Sequence, residues 1–415
     1  MDAEWLRGEA EKEYRLGSSF LSSPLHLVNG IPVGTAPEAV GPQRFARMLL
    51  LCQDHLNKRS NLDFFGAAMF VPEVAALGNS LNEIAELGPE AQKKLANLPL
   101  MPDNTVTSTV FELLVGAACV RRGLSVNMVP EDRAQKVPDF RVTGLGAIPG
   151  AIECKRRLGL SVYELDEARH VEALYRIIQQ PLQERGMHCS VEATFSVPLR
   201  LVSAADFAKA VLGAASHSRD QDSQSTSWGS LAIRRLPYSD SVRRTRLYSP
   251  GFIQQVFRWE VLENEWDGLL CQVEAPRQTM VRSYRMPFCL KWRSESEEAL
   301  TKRSRGIASL WTSAIKQIPA GEIGFVYIAY PEGGRPAIAD ARTRHILKSM
   351  EESWHRWFVR VPVMVICRLY PRPVHEGRPD LIESVLVGAG KGQEHWLTYL
   401  PWNVFTRQFD SSRDA

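Results

Sequence analysis

The 415-residue chain lacks any run approaching the ~20 consecutive apolar residues that cross a bilayer. Its most apolar early segment, residues 64–77, is interrupted by Pro72 and Glu73. It also lacks paired cysteines. The seven, at positions 52, 119, 154, 189, 271, 289 and 367, form no C-x-x-C, and no Cys/His spacing matches a structural zinc site. Scattered in apolar surroundings, they read as buried thiols of a reducing compartment. The opening Met1-Asp2-Ala3-Glu4-Trp5 has no basic and then apolar leader, so a cytoplasmic protein without membrane association is expected. Three catalytic signatures are missing: a G-x-x-x-x-G-K-[ST] loop, a G-x-S-x-G elbow and an H-E-x-x-H pair. The chain is therefore not expected to hydrolyse ATP. Gly144-x-Gly146 precedes a strand rather than a helix, so it reads as a hairpin turn and not as a phosphate cradle.

What is present is ordinary in bulk and uneven in distribution. Apolar residues make up 44% and charged residues 23%, as in a globular protein, and the length suggests two or three domains. The net charge of +3 conceals a gradient. Residues 231–378 carry 24 Lys and Arg against 15 Asp and Glu, whereas residues 1–100 carry 9 against 12. A basic C-terminal half suits a polyanion, although solvated surface charge explains it equally well.

Apolar spacing of three and four residues predicts helices over Pro42–Lys58, Pro72–Leu87 and Pro89–Leu98, and residues 1–105 read as a helical N-terminal region. From residue 106 the order becomes helix, strand, strand, strand, helix, strand. The helix is capped at Ser108 or Thr109, carries Glu112 and ends at Gly123. Strands are expected over Leu124–Val129, Val137–Val142, Ala151–Lys155 and Ser190–Val197, with a long helix over Tyr163–Glu184. The polar stretch 216–230 reads as a linker between a core of residues 106–215 and a C-terminal α/β region of residues 231–415. In that region strands are expected over Gly268–Val273, Phe288–Trp292, Gly324–Tyr330 and Val361–Tyr370, and helices over Glu297–Gln317 and Ala341–Trp357.

One constellation carries chemistry. Glu153-Cys154-Lys155 is the only acid-x-Lys in the chain, and it follows Pro138-Asp139 by a hairpin's length. Alternate residues of a strand share a face, so Glu153 and Lys155 point together while Ile152 and Cys154 point to the opposite face. A hairpin brings Asp139 beside Glu153. Two clustered carboxylates favour a hard divalent cation, Mg²⁺ first. Such a cation polarises a phosphate and acidifies a bound water, and Lys155 can steady that water or the developing charge. The bland alternative is a surface Glu–Lys pair on an edge strand. Glu112, early in its helix, is either part of this cluster or a complement to the helix dipole.

Pro138-Asp139 with Glu153-Cys154-Lys155, preceded by a helix bearing Glu112, resembles the signature of the PD-(D/E)xK, or restriction-endonuclease-like, nuclease superfamily over about residues 108–197. The resemblance implies an α/β fold with a restriction-endonuclease-like mixed-sheet core. It implies a cation (Mg²⁺, with Mn²⁺ able to substitute) held by Asp139, Glu153, the backbone carbonyl of Cys154 and Glu112. Relatives such as archaeal Holliday-junction resolvases and Mrr-like restriction enzymes carry an acid on that helix. The expected activity is hydrolysis of phosphodiester bonds in DNA rather than RNA, leaving 5′-phosphate and 3′-hydroxyl ends. A nuclease without a motor, set between long flanks, further suggests restriction or antiphage defence, acting as a homodimer or with a partner protein. The alternative is an inactive nucleic-acid-binding or scaffolding protein that keeps the fold.

Arg121-Arg122 and Lys155-Arg156-Arg157 are candidate phosphate contacts, with a solvated face as the equal alternative. In the C-terminal half Arg243-Arg244-Thr245-Arg246, Arg258-Trp259, Lys291-Trp292-Arg293 and Arg356-Trp357 mix cations with aromatics, as nucleic-acid surfaces do and as core tryptophans flanked by arginines also do. The order Asp267, Phe288-Cys289-Leu290-Lys291, helix, strand echoes Asp139, Lys155, helix, strand. In such a copy Cys289 stands for Glu153 and the site is lost; independent α/β patterning gives the same order.

Overall fold

Apolar spacing turns residues 44–121 into five helices in a computed structural model of the chain: α1 (Arg44–Leu56), α2 (Phe64–Gly78), α3 (Leu81–Glu86), α4 (Pro89–Asn97) and α5 (Asp103–Arg121). The structure describes residues 5–6, 8–9, 25–29, 31–33, 44–57, 64–132, 136–145, 149–157, 159–216, 221–236, 245–247, 249–258, 265–274, 280–281, 284–305, 307–332, 335–357, 361–373, 379–389 and 394–405. Helix α5 begins well before the expected cap at Ser108. Pro102 precedes it, and Asp103 in its first turn suits the positive helix end while accepting the Arg44 N–H at 2.7 Å.

Three short strands follow α5: β3 (Ser125–Met128), β4 (Phe140–Thr143) and β5 (Gly150–Arg156). They form an antiparallel meander with Met128 opposite Phe140 and Phe140 opposite Ile152. β5 is buried from Gly150 to Cys154, as befits a strand covered on both faces. It continues through α6 (Val162–Glu184), whose Ser161 and Glu164 make a capping box, into β6 (Cys189–Phe195).

The next connections decide the architecture. β6 does not lie beside β5. It pairs in parallel with β12 (Arg285–Ser294), which in turn pairs antiparallel with β10 (Gly268–Glu274). β12 leads through α9 (Glu297–Arg305) and α10 (Ala308–Ile315) to β13 (Ile323–Pro331), and β13 returns to pair in parallel with β5. The two halves thus exchange strands. One sheet has six strands in the order β15-β14-β13-β5-β4-β3, closed by β14 (Val363–Pro373) and β15 (Pro379–Ala389), with α11 (Pro336–Trp357) before β14. Another has seven in the order β2-β1-β10-β12-β6-β8-β7, including β1 (Leu25–Val28), β2 (Ile31–Pro32), β7 (Gln221–Thr226) and β8 (Gly229–Arg235), and β9 (Thr245–Arg246) pairs antiparallel with β11 (Met280–Val281) in a two-stranded ribbon.

Each of the two large sheets is covered on both faces. On the six-stranded sheet Phe111 and Leu114 of α5 pack with Ile152, Cys154 and Tyr327, while Trp311 and Ile315 of α10 pack with Ala151, Val326 and Ile328 on the reverse. On the seven-stranded sheet α6 and α7 (Ala204–Ala215) cover Leu290 and Trp292, and α8 (Pro250–Phe257) covers Leu269 and Cys289. Each fully buried Leu or Phe contributes roughly 1.5–3 kcal/mol by leaving water.

Several expectations are corrected. Residues 1–105 are not helical throughout, because Leu25–Val28 enters the seven-stranded sheet beside β10. Residues 216–230 are not a linker as far as they are described. Trp228 is buried against Phe195 and Phe207, at ring distances of 5.2 and 5.3 Å, and anchors a β7–β8 hairpin on the sheet edge. Gly229 fits its turn (φ 146°) because a Cβ there would lie 1.9 Å from the Thr194 carbonyl oxygen. The helix expected over Glu297–Gln317 is two helices, with Gly306 between them in the sequence, a residue of poor helix propensity. All seven cysteines are free thiols, six buried and Cys52 half-buried. Among the described residues no helix is long and apolar enough to cross a membrane.

Candidate active site

Asp139 sits one residue before β4, where the meander geometry fixes it. Its carbonyl oxygen accepts the Val129 N–H at 2.9 Å, and its carboxylate Oδ2 accepts the Cys154 N–H of β5 at 2.7 Å. The sequence-predicted hairpin therefore brings Asp139 against the Glu153–Cys154 peptide. Glu153 is fully buried in the middle of β5, and its neighbour Lys155 is partly exposed near the strand end. Lys155 Nζ donates to Glu153 Oε1, while Oε2 of Glu153 is buried without a hydrogen-bond partner among the described residues. An unmatched buried carboxylate oxygen is costly unless something positive completes it.

Glu112 joins from α5. Four residues on, Gly116 presses that helix against β4: a Cβ there would come within 2.8 Å of the Phe140 ring. Residues four apart share a helix face, so this close approach carries Glu112 toward Asp139. Its charge raises the pKa of both Asp139 and Glu153. Glu112 Oε2 accepts from Lys94 Nζ at 2.9 Å, and the same ammonium lies 3.1 Å from Glu131. Lys94 was not foreseen from the sequence. The signal lay in α4, where Ala91 and Lys94, with Leu98 just past the helix end, are buried at helical spacing, placing a lysine on the apolar stripe.

Burial dominates the electrostatics. It raises the Asp139 carboxyl well above the ordinary carboxylate range, with Glu112 and Glu153 adding to the shift. Glu153 is pushed up to about 7, mainly by burial, with Lys155 pulling the other way. For Lys94 and Lys155 burial is the largest single influence and would lower the pKa, but the charges and hydrogen bonds of the neighbouring acids, Glu112, Glu131 and Asp139 at Lys94 and Glu153 and Asp139 at Lys155, together more than offset it, and both rise. The Cys154 thiol is raised well above its usual value by burial and then by the surrounding carboxylates, so it stays protonated at neutral pH. Its sulfur is thus a poor ligand, which leaves its carbonyl oxygen as the donor at that position.

The donor set suits a hard cation. Among the described residues no group of three or more His, Cys, Asp and Glu side chains could hold a metal on its own. A divalent ion would rest on Asp139, Glu153 and the Cys154 carbonyl, with water completing its shell. Glu112, held by Lys94, stands beside that set.

The other candidates are placed elsewhere. Arg156 is buried on Glu73 of α2, donates to the Thr107 carbonyl at 3.1 Å and stacks over Phe405. Arg157 pairs with Glu164, and Arg121 donates to Ser80 and lies 3.5 Å from Glu83. These guanidiniums are structural rather than free for phosphate. Trp292 is a core residue, Lys291 is buried against Glu192 and Arg293 is partly exposed. Residues 243–244 and Trp259 lie outside the described residues, as do the side chains of Arg246, Arg356 and Trp357.

Compared with protein-family models, with curated proteins and with solved structures, the chain matches none.

Proposed function

We propose that the chain is a metal-dependent endonuclease of the PD-(D/E)xK type that hydrolyses phosphodiester bonds in DNA, with a role in restriction or antiphage defence. The observation that carries the reading is the buried Glu153 carboxylate with an unmatched oxygen, set beside an Asp139 locked to the Cys154 peptide. Asp139, Glu153 and the Cys154 carbonyl would hold Mg²⁺ or Mn²⁺. When bound, the ion supplies Lewis-acid polarisation of the phosphate and a more acidic water. The chain's own part is positional and electrostatic. The Cys154 N–H aims the Asp139 carboxylate, the buried strand fixes Glu153, and Lys155 brings a positive charge to the mouth of the site where negative charge develops. Lys94 restrains Glu112 and tempers the repulsion among three acids.

A second reading has its own observation. Glu153 and Glu112 each hold a lysine, as in a neutralised structural cluster of a binding protein. Cleavage of plasmid and single-stranded DNA in Mg²⁺ or Mn²⁺ separates the two. Wild-type cutting that is lost in Asp139→Ala and Lys155→Ala supports the nuclease; cutting that survives both substitutions removes the site. Salt-sensitive DNA binding without cleavage favours the binding protein.

A further inference from the structure

The seven-stranded sheet repeats the framework that holds Asp139. Asp267 lies one residue before β10, as Asp139 lies one residue before β4. The Asp267 carbonyl accepts the Asn29 N–H at 2.8 Å, just past β1, as that of Asp139 accepts Val129 just past β3. Its carboxylate Oδ2 accepts a backbone N–H from the adjacent antiparallel strand, Ser294 of β12 at 2.6 Å, as Asp139 accepts Cys154 at 2.7 Å. In both sheets that middle strand then takes a parallel neighbour, β6 beside β12 and β13 beside β5. The register also corrects the sequence-based alignment. Gly268 faces Trp292 as Phe140 faces Ile152, so Arg293, not Cys289, stands where Glu153 does. Ser294 corresponds to Cys154 and Glu295 to Lys155.

What fills this second framework is an arginine. Arg335, just before α11, donates from Nε to Asp267 Oδ1 at 2.7 Å and from Nη2 to Oδ2 at 3.2 Å. The same Nη2 donates to the Ser294 carbonyl at 2.7 Å. A carboxylate and the carbonyl of the residue after the Glu153 position are the donors named for the cation in the first site. Arg303 of α9, fully buried, closes the other side, 3.0 Å from Asp267 and 2.6 Å from Glu167 of α6.

The geometry points to a sealed counterpart of the Asp139 site, in which the Arg335 guanidinium occupies the cation position between Asp267 and the Ser294 carbonyl. The planar fork satisfies both donors at once, which a hydrated ion would do only after shedding water. The second site is therefore a fixed cross-link between β10, β12 and the start of α11, closed to divalent metal. One chain then carries one hydrolytic centre, and cutting both strands of a duplex needs two chains or two successive encounters.

Two measurements on the full chain test this. Arg335→Ala empties the position, lowering the thermal midpoint by about 3–6 °C. Millimolar ethylguanidinium should restore most of that loss, while sodium chloride at equal ionic strength should not. A midpoint unchanged by the substitution, or a loss that ethylguanidinium fails to restore, overturns the assignment. If Arg335→Ala does not fold, Arg335→Lys takes its place and should fold with a smaller loss; a midpoint equal to wild type overturns the assignment equally. The second measurement is Mn²⁺ stoichiometry, which rests on the proposed function. One ion per chain, lost in Asp139→Asn and kept in Asp267→Asn, is expected, and a second ion lost in Asp267→Asn overturns the sealed site. No bound Mn²⁺ at all refutes the metal reading of Asp139 and supports closure at Asp267, whose guanidinium occupant the rescue experiment then decides.

Discussion

Asp139 and Asp267 occupy the same point of two like strand frameworks, yet one faces further acids, each holding a lysine, and the other faces arginines. Around Asp139 the acids Glu112 and Glu153 crowd together, burial lifts the pKa of Asp139 and Glu153, and one carboxylate oxygen has no partner among the described residues. Around Asp267 guanidiniums meet the acids: Arg335 and Arg303 both reach Asp267, and Arg303 also reaches Glu167. The difference teaches how to read buried acids. A carboxylate matched by guanidinium is a structural joint, whereas one held by rigid backbone and left unmatched is poised to take something from solution.

The sharpest way to break this contrast is catalytic. Asp139→Asn should reduce DNA cleavage at least about 1,000-fold, and Lys155→Ala about 100- to 1,000-fold, measured as single-turnover rates in Mg²⁺. Neither should unfold the chain. Asp267→Asn should do the reverse, keeping cleavage per folded molecule.

The next effect is on stability. Arg303→Met strips an ion partner from Glu167 and one of the two from Asp267 and should cost about 3–5 kcal/mol in urea unfolding. A loss below about 1 kcal/mol would mean that the buried ion pairs of the second site are no joint.

A smaller effect concerns Glu112. Its replacement by Gln should weaken Mn²⁺ binding about 10-fold, as removal of an outer partner does, while leaving the ion count unchanged.

The smallest effect is on pH. Glu153 has a folded pKa of about 7 against an ordinary 4.5, so the folded chain binds the proton more tightly than the unfolded one. Its contribution to metal-free stability is complete below 4.5 and is lost as pH rises through 7, with the raised Asp139 adding in the same direction. Melting of the metal-free chain from pH 5 to 8 should show this decline, and Glu153→Gln should flatten it. Stabilisation by Mn²⁺ should grow over the same range, because the ion competes with protons.

Much of the Asp139 site was legible in the residues. The hairpin spacing, the alternation around Glu153 and the helix carrying Glu112 are local patterns; the structure sets Asp139 on the Cys154 N–H and Lys155 on Glu153, with Glu112 near enough to raise the pKa of both acids. Lys94 was missed because a lone lysine in a short helix looks solvated until α4 packs on α5. The sealed site was misaligned by four residues, since the Asp267–Lys291 spacing ignores the length of the β10–β12 connection. The strand Leu25–Val28 was missed because four residues carry too little periodicity, and its pairing partner lies more than 200 positions away.

By itself, the sequence determined the local elements and one chemical cluster, because strand alternation and helix period act over a few residues. Only the tertiary structure decided that β6 and β13 change sheets and that the basic run after Glu153 is tied to Glu73 and Glu164. It also decided that Arg335 and Arg303 close on Asp267, while Glu153 has only Lys155 on one oxygen and no partner for the other among the described residues. These outcomes depend on which distant surfaces pack and which buried charges must be paired, and no short window of residues contains both partners.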